Sequence, residues 1–163
     1  MLTHEEVAKM STEERLGRLA RGAEEIAAAI AGQPEALLAR RPDVKNWCAK
    51  EVACHLRDTE EFFMQRFQTA AAMDEPKFLP VDPDRWAAER QYIRNDATEA
   101  LAAFRRRREE TLTYLRGLAA AGWQRGGVHP TRGRMTVNDF ATLMVVHDDN
   151  HLDQIRRALR GEA

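Results

Sequence analysis

Four long segments of this sequence repeat apolar residues every three or four positions, which is the spacing of one face of an α-helix. The segments span residues 11–31, 48–73, 84–121 and 136–160, and the third has a break at Asn95–Asp96. Ala, Leu, Glu and Arg, which favour helices, dominate them. A helix with one apolar stripe cannot bury that stripe alone, so four of them predict an all-α four-helix bundle.

Helix starts are marked by capping signals. Ser11 and Glu14 form a capping box, and Thr136 with Asp139 has the same spacing. The second helix has Cys48 at this position, and because a thiol is a weak acceptor we expect Asn46 to share the capping role.

The connections between the helices are rich in proline and glycine. Three prolines fall in residues 74–84, and this long connection predicts a crossover between the second and third helices rather than a simple up-and-down bundle. A Gly-rich link over residues 126–133 precedes the last helix, and no segment predicts a strand. We interpret residues 1–163 as one domain.

Composition excludes several classes of protein. The net charge of -1 gives no general attraction to nucleic acid or to membranes, and no apolar run approaches the length of a membrane span. The first residues lack the blocks of a signal peptide, which predicts a cytoplasmic location.

Cys48 and Cys54 are six residues apart, which does not suit a disulfide within one helix, so both are expected to be reduced.

Three histidines form a candidate metal site. His147 and His151 are four residues apart and project from one helix face, within about 80° of the apolar stripe. His55 flanks the stripe of the second helix, so three imidazoles on two helices would make a site with coordination positions left open. Spacing alone leaves ordinary hydrogen-bonded core histidines equally possible. His4 and His129 are interpreted as surface residues.

Two stretches resemble the DinB/YfiT-like family. They are NWCAKEVACHLRDTE at residues 46–60, and GRMTVNDF at 133–140 followed by HDDNHLDQI at 147–155. Members of this family are four-helix bundles with a three-histidine metal site and are usually dimeric. The resemblance therefore implies His55, His147 and His151 as the metal ligands. Its enzymes are metal-dependent hydrolases and transferases that use small thiols, while many members have no known activity.

Several other residues have two possible roles. Asp58, Asp148 and Gln154 could orient the imidazoles, although a solvated helix face is the favoured interpretation for each. A solvated face is also favoured for the basic run at residues 105–108. The three tryptophans are interpreted as packing anchors at helix ends; they are Trp47, Trp86 and Trp123.

Two functions remain open. The first is a metal-dependent enzyme, a thiol transferase or hydrolase, in which a small thiol or water attacks an electrophile and residues 74–84 and 129–134 border the pocket. The alternative is a non-catalytic, damage-inducible stress protein that binds metal for stability. Three imidazoles suit zinc, nickel, iron or copper. Cys48 is the nearest candidate for a protein nucleophile, and the sequence singles out no catalytic residue. The homodimer that the resemblance implies would use Phe62 and the region of Trp86 as its contacts.

Overall fold

The computed structural model describes residues 1–163 and is built mainly from helices. In chain order the elements are α1 (His4–Ala8), α2 (Thr12–Ile30), α3 (Glu35–Leu38), α4 (Ala49–Ala72), α5 (Pro83–Glu89), a 3-10 turn (Tyr92–Arg94), α6 (Ala97–Arg116), α7 (Ala120–Gln124), β1 (Gly126–His129), β2 (Gly133–Thr136) and α8 (Val137–Arg160). The predicted four-helix bundle is confirmed as α2, α4, α6 and α8. The third predicted segment is divided into α5, the 3-10 turn, α6 and α7, with a break at Asn95–Asp96 as expected.

The core has two apolar halves, and these show how the four helices run. One half holds the start of α4 and the start of α6, represented by Ala53 and Ala100, together with the end of α8 at Ile155. The other half holds the end of α4 at Phe67 and the start of α8 at Phe140. Helices α4 and α6 are therefore parallel, and α8 is antiparallel to α4. Because α4 and α6 point the same way, the connection over residues 73–96 has to return along the bundle, which confirms the predicted crossover.

A buried polar layer lies between the two apolar halves. Arg108 is 1% exposed and donates two hydrogen bonds to Glu60, at 3.0 and 2.7 Å, and one of 2.6 Å to Asp148. It also donates to the backbone oxygen of Leu19. One guanidinium, carried by α6, thus contacts the other three bundle helices, α2, α4 and α8. The prediction of a solvated face is wrong for Arg108, because its charge is compensated by two buried carboxylates.

A short β-hairpin replaces the loop that the Gly-rich link predicts. Strands β1 and β2 are antiparallel, and residues 76–78 lie alongside β1 through two backbone hydrogen bonds with Val128. A Cβ on Gly126 would lie 2.3 Å from the backbone oxygen of Met135, and one on Gly127 would lie 2.2 Å from that of Pro76. Both positions therefore need glycine, since the backbones approach too closely for any side chain.

The helix caps follow the sequence signals with one exception. Both halves of the capping box are present at Ser11 and at Thr136, and Cys48 is the N-cap of α4, where its N–H donates to Glu51 over 3.1 Å. Asn46 hydrogen-bonds to Asp43 instead of capping α4, so that expectation is wrong. Both cysteines are free and buried. None of the helices combines the length and apolarity needed to cross a lipid bilayer.

Candidate metal centre

The histidines His55, His147 and His151 converge where α4 and α8 pack against each other. Each offers one ring nitrogen, and the three nitrogens lie within 4.8 Å of one another. The Nε2 atoms of His55 and His147 are 3.1 Å apart. The ring centroids of His147 and His151 are 4.3 Å apart, which agrees with their i, i+4 positions on one face of α8.

Burial keeps two of these imidazoles neutral. Burial, followed by the neighbouring His151 and His147, lowers the pKa of His55 from 6.5 to about 2. Burial and then His147 lower the pKa of His151 to about 3. A neutral imidazole keeps a free lone pair on one ring nitrogen, which is the form that binds a metal ion.

The surroundings of each ring decide which nitrogen faces the cluster. Gln154 Oε1 accepts a 2.7 Å hydrogen bond from Nδ1 of His151, which leaves Nε2 of that ring as the acceptor. Nδ1 of His147 faces Asp148 Oδ1 at 3.8 Å. The ring of His55 packs against Trp47, with centroids 5.1 Å apart, while its Nδ1 is buried without a hydrogen-bond partner.

Both aspartates near the histidines are buried, so the prediction of a solvated helix face is wrong for them. Burial raises the pKa of Asp148, but Arg108 and His147 together outweigh burial, and the net pKa is lowered. Asp58 accepts hydrogen bonds from Arg57, Arg90 and the hydroxyl of Tyr92. It therefore stabilises the contact of α4 with the 3-10 turn rather than an imidazole. Of the three candidates, Gln154 makes the direct hydrogen bond to a histidine.

A pocket of about 590 Å³ opens beside the three histidines. Its walls include Phe62, Phe63 and Trp47, and both predicted border segments contribute, residues 80–84 from one side and 129–132 from the other. His129 is half-buried and lines this pocket, so its interpretation as an ordinary surface residue is wrong. The hairpin brings it there, which agrees with the prediction that residues 129–134 border the pocket.

Imidazole nitrogens suit a divalent transition-metal ion, and the distance between two of the three agrees with shared coordination. Metal–nitrogen distances of about 2.0–2.1 Å at tetrahedral angles separate neighbouring ligand nitrogens by about 3.3 Å, close to the 3.1 Å between His55 and His147. No fourth His, Cys, Asp or Glu joins the cluster. The cysteines are not placed as nucleophiles, since both are fully buried and burial raises the pKa of the Cys48 thiol to about 11.

Comparison with known proteins gives a family and two related folds. A sequence profile of the DinB superfamily matches residues 18–155. The structure of YfiT from Bacillus subtilis, described as a probable metal-dependent hydrolase with an unusual four-helix bundle topology, superposes with a TM-score of 0.85 at 22% identity. The match covers 95% of this chain and 92% of YfiT. No curated protein sequence matches the chain.

A second solved structure, a mycothiol-dependent maleylpyruvate isomerase, superposes with a TM-score of 0.65 at 15% identity. The match covers 95% of this chain but 63% of the isomerase. At these identities both likenesses establish the four-helix fold alone.

Proposed function

The chain belongs to the DinB superfamily, and from this premise we propose that it is a metal-dependent enzyme whose ion is held by His55, His147 and His151. The reaction proposed is the transfer of a small thiol, or hydrolysis by water, at an electrophilic centre of a small molecule. The observation that carries the proposal is the convergence of three imidazole nitrogens on one point in the wall of a pocket.

The number of ligands favours catalysis over a structural role. Structural zinc sites are usually closed by four protein ligands, whereas catalytic sites keep a position open for water or substrate. Three histidines form the cluster, and the 590 Å³ pocket beside it lies in the range of small-molecule sites. When bound, a divalent ion would supply Lewis-acid chemistry and lower the pKa of a coordinated water or thiol.

The protein's own residues would hold and orient the reactants. Gln154 fixes the tautomer of His151, and Trp47 packs on the ring of His55, so both rings keep their direction before an ion arrives. Phe62 and Phe63 give the pocket an apolar wall that would displace water from a bound substrate. No protein thiol competes with an external nucleophile, because Cys48 and Cys54 are buried.

The described activities of the two solved structures support the choice of reaction. One is a probable metal-dependent hydrolase and the other depends on the thiol mycothiol. Hydrolysis and thiol transfer differ in the nucleophile that occupies the open position, so one three-histidine site is suited to either.

The first prediction tests the metal site directly. Purified protein is expected to carry about one transition-metal ion per chain, and His147→Ala combined with His151→Ala is expected to remove it, since two of three ligands are lost. Elemental analysis measures the metal, and His4→Ala, an exposed histidine outside the cluster, is the control. Unchanged metal content in the double variant would contradict the assignment.

Activity is tested with a panel of small thiols and electrophiles. Wild-type protein, chelator-treated protein and His55→Ala are compared, and the turnover expected of the wild type should be lost in the other two. Metal bound at the histidines without metal-dependent turnover in a broad panel would favour the alternative, a non-catalytic metal-binding protein.

A further inference from the structure

Arg66 is a buried arginine in the pocket wall that has no acidic partner. It is 8% exposed, and its Nε is buried without a hydrogen-bond partner. Both of its hydrogen-bond contacts involve Nη2, which donates to the backbone oxygen of Leu79 over 3.1 Å and lies 3.5 Å from Nε2 of His129. A guanidinium has five N–H donors, so most of its donating capacity is unused by the protein.

The other buried arginines show that this arrangement is unusual. Arg108 is surrounded by two carboxylates in the polar layer. Arg15 also lacks a hydrogen-bonded carboxylate, and its Nε is likewise without a partner, but the side-chain oxygens of Thr142 and Asn138 accept from it and it does not line the pocket. Arg66 combines burial, an unpaired charge and a position at the pocket.

Two aromatic rings keep the guanidinium in place. It lies 4.1 Å from the ring centroid of Phe62 and 5.3 Å from that of Phe140. Such contacts do not use the N–H donors of a guanidinium, so these remain available to a planar anion. Because Phe62 is one helical turn before Arg66, the side chain folds back along α4 towards His55.

The pocket lining as a whole carries more positive than negative charge. Its lining includes Lys45, Arg66 and Arg132 as cations, and Asp84 as the one carboxylate. The whole chain has a net charge of -1, so this excess of positive charge is local. Burial, and then the nearby Arg132, lower the pKa of Arg66 to about 10, so the side chain remains charged at neutral pH. An isolated buried cation is destabilising unless an anion joins it.

We infer that Arg66 is an anion-binding residue of the substrate site, and that the pocket accepts a small organic acid whose carboxylate pairs with the guanidinium. This assignment rests on the proposed function, since it places the reacting end of the same molecule at the histidines. Arg66 is eleven residues after His55, about 16 Å along the helix, and both side chains line the same pocket. The acid is either the electrophile or the thiol, because both classes include carboxylates.

The inference is tested by binding, without turnover. Succinate, uncharged succinamide and inorganic phosphate are titrated into the metal-loaded protein by calorimetry at low salt. Succinate is expected to bind, and Arg66→Met is expected to weaken it at least about tenfold, since a charged hydrogen-bonded pair is lost. Arg66→Lys keeps the charge without the planar edge, and its affinity for succinate should lie between those of the wild type and Arg66→Met. Arg105→Met, which alters an exposed arginine paired with Glu24, is the matched control.

Stability gives a second readout that does not depend on a ligand. If Arg66 is kept for binding, Arg66→Met removes an uncompensated buried charge and should raise Tm by roughly 2–4 °C. A structural arginine would show the opposite effect, with lower Tm and unchanged succinate affinity, and this result would overturn the inference. Tighter binding of phosphate than of succinate would overturn the choice of a carboxylate.

The double variant His147→Ala with His151→Ala separates this inference from the proposed function. Arg66-dependent binding of succinate by that variant would support the anion site even if the native chain bound no metal. Metal binding by wild-type protein with equal responses to succinate and succinamide would overturn the anion site and leave the proposed function standing.

Discussion

The hydrogen bond between His151 and Gln154 holds an imidazole in one tautomer. Replacing Gln154 with Leu should weaken metal binding by about 10–100-fold, because the ring can then rotate or turn the wrong nitrogen inward. Competition with a chromophoric chelator measures the affinity. Asn150→Leu alters an exposed residue of the same helix and should leave it unchanged. Equal affinities for the two variants would show that packing alone orients His151.

The buried carboxylate of Asp58 should make stability depend on pH. Burial raises its pKa, but hydrogen bonds from Arg57, Arg90 and Tyr92 outweigh burial and hold the pKa below the ordinary 3.8. A carboxylate with a lowered folded pKa stabilises the protein fully above the unfolded value, and the contribution disappears as pH falls through the folded value.

Urea unfolding of wild type and Asp58→Asn at a series of pH values tests this. The wild type should be more stable at pH 7, and the difference between the two should shrink below about pH 4. A difference that stays constant between pH 7 and pH 3 would show that the ionised form of Asp58 contributes nothing.

Helical spacing put His147 and His151 on one face and His55 beside an apolar stripe, and the family resemblance then favoured one shared metal site over separate core histidines. The sequence did not distinguish Arg108 from the three arginines before it, since the burial of one member of a charged run depends on which face the other helices cover. Arg66 was missed for a related reason: its lack of an acidic partner is a property of the packed structure.

Among the elements, α8 carries two of the three histidines, and its N-terminus is stabilised by a capping box. Thr136 Oγ1 accepts from the N–H of Asp139 over 3.1 Å, and Asp139 accepts from the N–H of Thr136 over 2.8 Å. Thr136→Ala should lower the free energy of unfolding by about 1 kcal/mol. Urea denaturation measures the change, and Thr113→Ala, at an exposed position within α6, should have little effect. An equal loss in the two variants would argue against capping.

The hairpin shows where sequence patterns of single elements fail. Strands β1 and β2 have four residues each, too few for an alternating pattern to stand out. Their pairing depends on close backbone approach at Gly126 and Gly127, and a glycine pair in a sequence predicts a turn equally well. The consequence reaches the site, since this hairpin carries His129 to the pocket.

At the scale of the molecule, the long crossover was predictable from the length of the connection and its prolines. The orientation of the helices was not, because amphipathic stripes fix which face is buried and leave open which helix lies beside which. The observed arrangement, with α4 parallel to α6, places His55 opposite α8.

The homodimer that the family resemblance implies stays a prediction, with Phe62 and Trp86 as its candidate contacts. Both side chains are half-buried in the single chain, where their rings pack 5.6 Å apart. Light scattering should give twice the chain mass of 18.6 kDa at micromolar concentration. A mass of one chain under those conditions would contradict it, and Trp86→Ala should shift the equilibrium towards monomer if that region forms the contact.

The contacts of Arg108, which belongs to α6, with the other three bundle helices also fix the axial alignment of those helices. If α4 or α8 slid by one turn, it would move about 5.4 Å, and its own carboxylate, Glu60 or Asp148, would leave hydrogen-bonding distance of the guanidinium. Asp148 directly follows His147 in the chain, and Glu60 lies between one and two turns beyond His55. Arg108, a buried residue outside the pocket lining, therefore helps to fix the positions of His55 and His147 relative to each other.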